Sequence, residues 1–185
     1  MQRPLNRALA GAAALALAVA TTAQAQVGLT SNAATVTLNA TKTSTLTVTP
    51  SAPTATLASI TDNSNANNFP DVSLTTAWNL TTGTSVRMVG WFATPTDALV
   101  NGTAKIPSSN VEGGINGGGF TAFSGAAVGG VGVAGGTLQL FSEPVAANLF
   151  NSRTDNLNLR LNLVGFPATT AGLYTGTLNV QAVVQ

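Results

Sequence analysis

Six carboxylates and five cations carry all the side-chain charge found after residue 25. Asp62, Asp71, Asp97, Glu112, Glu143 and Asp155 stand against Lys42, Arg87, Lys105, Arg153 and Arg160, and the 185 residues contain neither histidine nor cysteine. Without histidine there is no usual general base for a serine nucleophile, and the commonest zinc ligand is missing. Without cysteine there is no thiol chemistry and no disulfide. Two carboxylates brought together do acid and base work in glycosidases, but these six are scattered over predicted turns and strand ends, where a solvated acid is the default. A serine–lysine dyad would need Lys42 or Lys105 desolvated, and both lie among Thr, Ser and Pro in chain that reads as exposed. Catalytic, cofactor and metal sites are therefore all predicted to be absent.

Three patterns mimic sites. Gly130-Val131-Gly132-Val133-Ala134-Gly135 has the G-x-G-x-x-G spacing of a dinucleotide loop. That loop requires a buried strand before it and a helix after it, whereas here glycine-rich chain precedes and a strand pattern follows. Asp62-Asn63-Ser64-Asn65-Ala66-Asn67-Asn68 places oxygen ligands at alternate positions, as calcium loops do, but has one carboxylate and lacks the bidentate acid. It reads as an Asx-turn loop, with a weak calcium site left open. Trp78 and Trp91 are the candidate ligand contacts, because exposed aromatic rings stack on sugars. Trp78 is taken to face away from Val72, Leu74 and Leu80, and Trp91 lies beyond an irregularity in its strand. Packing between sheets is the competing role for both.

The chain's address is read from its start. Arg3 and Arg7 precede an apolar run from Leu9 to Ala20, closed by Ala23-Gln24-Ala25. A basic head, a short apolar centre and an A-x-A site make residues 1–25 a cleavable secretory signal, too short in its apolar part to span a bilayer. The mature chain then begins at Gln26, forms a single domain over 26–185 and works outside the cytoplasm, as an extracellular, cell-surface or periplasmic protein. Its net charge is about −1, with no basic stripe for phosphates, which disfavours nucleic acid and anionic membranes as partners. Charged residues make up 7% of the sequence, against about 25% in ordinary globular proteins. Such a surface, rich in Thr, Ser and Asn, favours self-association and lacks the lysines that blunt sheet edges.

Periodicity predicts strands and no helix. Leu157, Leu159, Leu161 and Leu163 alternate with polar residues over Asn156 to Val164, which sets one apolar row on a strand and would scatter on a helix. Thr35 to Leu38, Thr45 to Val48 and the final stretch with Tyr174, Leu178, Val180, Ala182 and Val184 alternate likewise. Val72 to Leu80 and Ser85 to Ala93 read as a hairpin joined through Thr81 to Thr84, with a bulge near Met88-Val89-Gly90 where the apolar parity changes. With Thr137 to Phe141 there are about seven strands. The fold class is all-β: a single antiparallel sandwich with Greek-key connections, an up-and-down barrel being the alternative. Residues 113–136 hold more than half of the 19 glycines. Two readings stay open for them, a mobile excursion or a small hairpin with Ala127-Val128 and Val131 around Gly129-Gly130.

Ala171-Gly172-Leu173-Tyr174-Thr175-Gly176-Thr177-Leu178-Asn179-Val180 resembles the closing strand of exported bacterial β-sandwich proteins, the pilin subunits and the spore coat protein U group. The resemblance implies an immunoglobulin-like sandwich and, in many members, assembly into surface fibres. It covers the last tenth of the chain, without the cysteine pair and with Val184 where pilins typically carry Tyr. Residues 26–38, with Val27, Leu29, Val36 and Leu38, read either as an arm that adds to a neighbour's sheet or as the first strand of a closed sandwich. The function expected is that of a non-catalytic structural or adhesive protein, with partners being copies of itself or other surface subunits. A soluble glycan-binding module is the alternative.

Overall fold

Nearly every stretch of alternating apolar and hydroxyl-bearing residues becomes a strand. The computed structural model describes residues 35–145 and 149–185. The expected signal of residues 1–25 and the segment 26–34 lie outside the described residues. Residues 35–40 form no strand. The strand expected at Thr35 to Leu38 is thus corrected: alternation supplies a face, but a strand also needs a ladder partner, and the first ladder begins at Thr45.

The larger sheet runs β1 (Thr45–Pro50), β3 (Val72–Asn79), β10 (Phe150–Leu161), β7 (Val111–Ile115) and β8 (Thr121–Ala122), with β2 (Asn67–Asn68) pairing the end of β10. The smaller sheet runs β11 (Leu178–Val184), β4 (Ser85–Phe92) and β9 (Thr137–Pro144). A separate hairpin pairs β5 (Leu99–Asn101) with β6 (Ala104–Ile106). All pairings are antiparallel. The inner faces of the two sheets meet in a core cluster of Leu74, Trp78, Val86, Met88, Phe141, Leu157 and Ala182, so the fold is an all-β antiparallel sandwich. Neither sheet closes into a barrel.

The hairpin expected between Val72–Leu80 and Ser85–Ala93 is corrected as well. β3 pairs with β1 and β10, β4 pairs with β11 and β9, and residues 80–84 carry the chain from one sheet to the other. Both strands are apolar on one face, and stacking those faces buries more than edge pairing would. The same geometry corrects Trp78. It shares even parity with Val72, Leu74, Thr76 and Leu80, so it points inward and is only 2% exposed. The ladder between β4 and β9 does shift register at Met88–Val89, where Met88 opposes Phe141 and Val89 opposes Gln139, but the bulge expected in β4 is corrected: the extra residue is Leu140 of β9, and β4 keeps Val86, Met88, Gly90 and Phe92 on its inner face throughout.

The glycine-rich segment is packed through its aromatic residue. Phe123 is fully buried, edge-on to Phe92 with ring centroids 5.3 Å apart. Its ring fills the space left by two glycines on opposite sheets: a Cβ on Gly113 would lie 2.9 Å from the ring, and one on Gly90 would lie 3.0 Å from it. Further on, Val128 and Val131 exchange both backbone hydrogen bonds around Gly129 and Gly130, whose φ angles of 57° and 80° suit a type I′ turn. Of the two readings for this stretch, the small hairpin is the one the backbone adopts.

Two substitutions probe this packing. Gly113→Ala drives a methyl into the Phe123 ring and should cost about 2 kcal/mol by denaturant titration; an unchanged midpoint would mean that the ring is not wedged between the sheets. Thr76 Oγ1 is buried in the shared core without a hydrogen-bond partner among the described residues. Thr76→Val should therefore stabilise the fold by about 1 kcal/mol, since the hydroxyl's desolvation is uncompensated, and a loss of stability would show that the hydroxyl is satisfied.

Candidate functional site

All six carboxylates have hydrogen-bond partners, and two of them meet. On β10, Arg153 and Asp155 share odd parity with Leu157, Leu159 and Leu161 and so face the interior. Arg153 Nε and Nη2 donate to the two oxygens of Asp155 at 2.7 and 2.6 Å, and Nη1 donates to Glu143 Oε2 of β9 at 2.9 Å. The guanidinium lies 4.1 Å from the centre of the Phe141 ring. A forked, planar cation thus ties the larger sheet to the smaller one while covering an aromatic face.

Asp155 is almost fully buried. Burial pushes its carboxyl up, but the hydrogen bonds from Arg153 and from Asn116, with the Arg153 charge, outweigh this and leave it below the usual range. Hydrogen bonding to Asp155, set against its own desolvation, holds the Arg153 guanidinium more firmly protonated than usual. A general acid in a glycosidase-type pair needs a raised pKa at one of two carboxyl groups. Here one guanidinium bridges the two carboxyl groups, and Asp155 is lowered and not raised, which is the arrangement of an intersheet clamp.

Most of the remaining charges are also engaged, Arg87 being the exception, with a buried Nε that has no hydrogen-bond partner among the described residues. On the opposite face of β10, Arg160 Nε donates to Glu112 Oε2 at 2.6 Å and lies over Phe120, and Asn162 donates to the other Glu112 oxygen. Asp71 accepts from Asn158 at 2.7 Å. Lys105 donates to Asp97 at 2.6 Å, and this bond, with one from Thr96, holds the half-buried Asp97 below its ordinary pKa. Lys42 donates to the Leu80 carbonyl. Neither lysine is therefore paired with a serine as a dyad would require.

The mimicked sites are placed as follows. Gly130 to Gly135 runs from the Val128–Val131 turn into β9, with Val133 bonded through both its N–H and its carbonyl to the Thr137 hydroxyl and no helix following. In the Asp62–Asn68 stretch, Asn67 is buried and its amide bonds the backbone of Thr61 and Ser64, which is the behaviour of an Asx loop. Asp62 Oδ1 accepts from both the backbone and the hydroxyl of Thr169, and these bonds lower its pKa. No group of three or more acidic, His or Cys residues suited to a metal is found among the described residues. Trp78, buried in the core, has no face free for a sugar. Trp91 alternates with inward-facing Gly90 and Phe92, so it points outward and is half-buried.

No protein-family model matches the chain, and no curated protein is significantly similar to it. Among the described residues, no helix is long and apolar enough to cross a membrane.

The clamp makes a signed pH prediction. With its pKa depressed, Asp155 contributes stability that is complete above its unfolded pKa of about 3.9 and is lost as pH falls through the folded value. Arg153→Met leaves a buried carboxylate without its cation and should cost about 3 kcal/mol at neutral pH. Burial then dominates and raises the Asp155 pKa, so the variant should regain stability on mild acidification, the reverse of the wild type. Parallel stability–pH curves would overturn this account.

Proposed function

We propose that the mature chain is an exported, non-catalytic structural or adhesive protein of the bacterial cell surface that joins copies of itself by strand addition. The carrying observation is a pair of sheet edges that have no ladder partner among the described residues. The larger sheet ends on β1 and the smaller on β11, and neither strand contains a charged residue. Their unpaired N–H and C=O groups form a template for another strand, and the usual lysine protection is missing. Upstream of β1, Val36 and Leu38 are 80% and 89% exposed, an apolar alternation suited to such an added strand. The engagement of all six carboxylates supports a non-catalytic role, and the apolar run of residues 9–20 with its A-x-A ending supports export.

Light scattering on size-exclusion fractions of residues 26–185, with electron microscopy of the largest species, tests this reading. Ordered oligomers or filaments are expected, and deleting residues 26–38 or placing Thr47→Lys with Thr49→Lys on β1 should reduce them to monomer. A wild-type monomer at every concentration would sink the proposal. Glycan binding would then lead, with Trp91 as its remaining aromatic handle.

A further inference from the structure

The sandwich core is divided. One cluster centres on Leu74, Trp78, Met88 and Phe141, the other on Phe92, Ile106, Phe123 and Leu161, and Leu159 and Leu178 border both while staying half-exposed. In the inward row of β10, Leu157 and Leu161 are fully covered, yet Leu159 between them is not. What lies over it is a cavity of about 870 Å³, within the range of about 300–1,000 Å³ typical of small-molecule sites. It follows β10 from Leu157 to Leu161, a span of about 13 Å at strand rise, and is bounded across the sandwich by Leu178 and Val180.

Three further observations bear on what it holds. The described lining contains no charged side chain and no amide side chain, only aliphatic and aromatic groups with Thr, Ser and Tyr hydroxyls. An ion entering it would lose hydration without a partner, so the complement is uncharged and largely apolar. The walls facing solvent are two long irregular stretches, residues 51–66 and 162–177, with no regular strand between them. Loops of this length inside a small domain are uncommon and often serve as lids. The two are tied at one end, where Asp62 accepts from Thr169, Asn63 accepts from Gly165 at 3.0 Å, and Leu163 N–H donates to Ser64 O at 2.8 Å. Residues 52–60 make no backbone hydrogen bond to another described residue and rest on the cavity through Ala55, Leu57 and Ile60. At the rim Leu173 is 75% exposed, an apolar contact placed where a ligand enters.

We propose that this cavity binds the apolar chain of an uncharged lipid-like molecule, with residues 52–60 as the segment that opens to admit it. Leu159 and Val180 form its floor and side, and the hydroxyls of Thr56 and Thr170 at the surface accommodate the uncharged polar end. The cavity borders the edges proposed for strand addition, since Val48 and Pro50 of β1 and Leu178 and Val180 of β11 line it; ligand binding is therefore measured on monomeric protein, where it is read separately from assembly.

The probe is N-phenyl-1-naphthylamine, an uncharged fluorophore that brightens in apolar surroundings, titrated into monomeric mature protein. Saturable binding of one equivalent is expected, displaced by a neutral monoacylglycerol below its micelle concentration. Leu159→Trp fills the cavity and should weaken binding at least tenfold. Val180→Phe, on the opposite wall, should do the same and covers the case in which the first variant fails to fold; melting curves identify the folded variants. Absence of saturable binding would overturn the proposal, as would equal affinity in a folded, filled variant. Binding that emerges only with Val36→Asp and Leu38→Asp would also overturn it, by assigning the cavity to the chain's own leading segment.

Discussion

The inner face of β10 carries the contacts on which both sheets depend. Along one row of alternate residues it presents Arg153 and Asp155, then Leu157, Leu159 and Leu161. The charged end grips Glu143 and covers Phe141 of the smaller sheet, and the apolar end forms the wall of the second core cluster. A strand of Leu alone would slide against its facing sheet with little change in energy, since apolar contact is non-directional. The forked hydrogen bonds of a guanidinium are directional, so they select one alignment of the sheets.

In a chain with so few charges, the placement of each one matters more. Both arginines of β10 pair with carboxylates and lie over phenylalanines, one on the inner and one on the outer face of the same strand. This commits five of the eleven charges after residue 25, Arg153, Asp155, Glu143, Arg160 and Glu112, to contacts between strands. The stability of the interior and the openness of the edges thus have a common origin in composition: residues that elsewhere make a surface self-repelling are here committed to holding strands together.

Packing is close where glycine permits it and loose where it does not. Gly90 and Gly113 let the Phe123 ring enter between the sheets, which closes one end of the sandwich. Around Leu159 no comparable side chain arrives from the described residues, because residues 51–66 and 162–177 cross the gap as irregular chain and do not add strands. Close packing near Phe123 and a cavity around Leu159 are therefore two outcomes of how the same pair of sheets is filled.

Strand type and the facing of most strands were legible from local pattern, because the period of two is a property of the backbone and needs no partner. The leucines of β10 and the turn at Gly129–Gly130 are of this kind, whereas the register shift at Met88–Val89 has its extra residue on β9, where the local pattern of β4 did not place it. Pairing was not legible: β3 and β4 look like a hairpin and lie in different sheets, while Thr35 to Leu38 alternates and has no ladder. Trp78 was readable in principle, since it shares its parity with Leu74 and Leu80, and extending the leucine row back by two steps would have placed Asp155 and Arg153 inside. The clamp with Glu143 and the cavity over Leu159 were decided only by tertiary structure. They depend on which residues, distant in the chain, are brought face to face across the sandwich, and local periodicity carries no information about that distance.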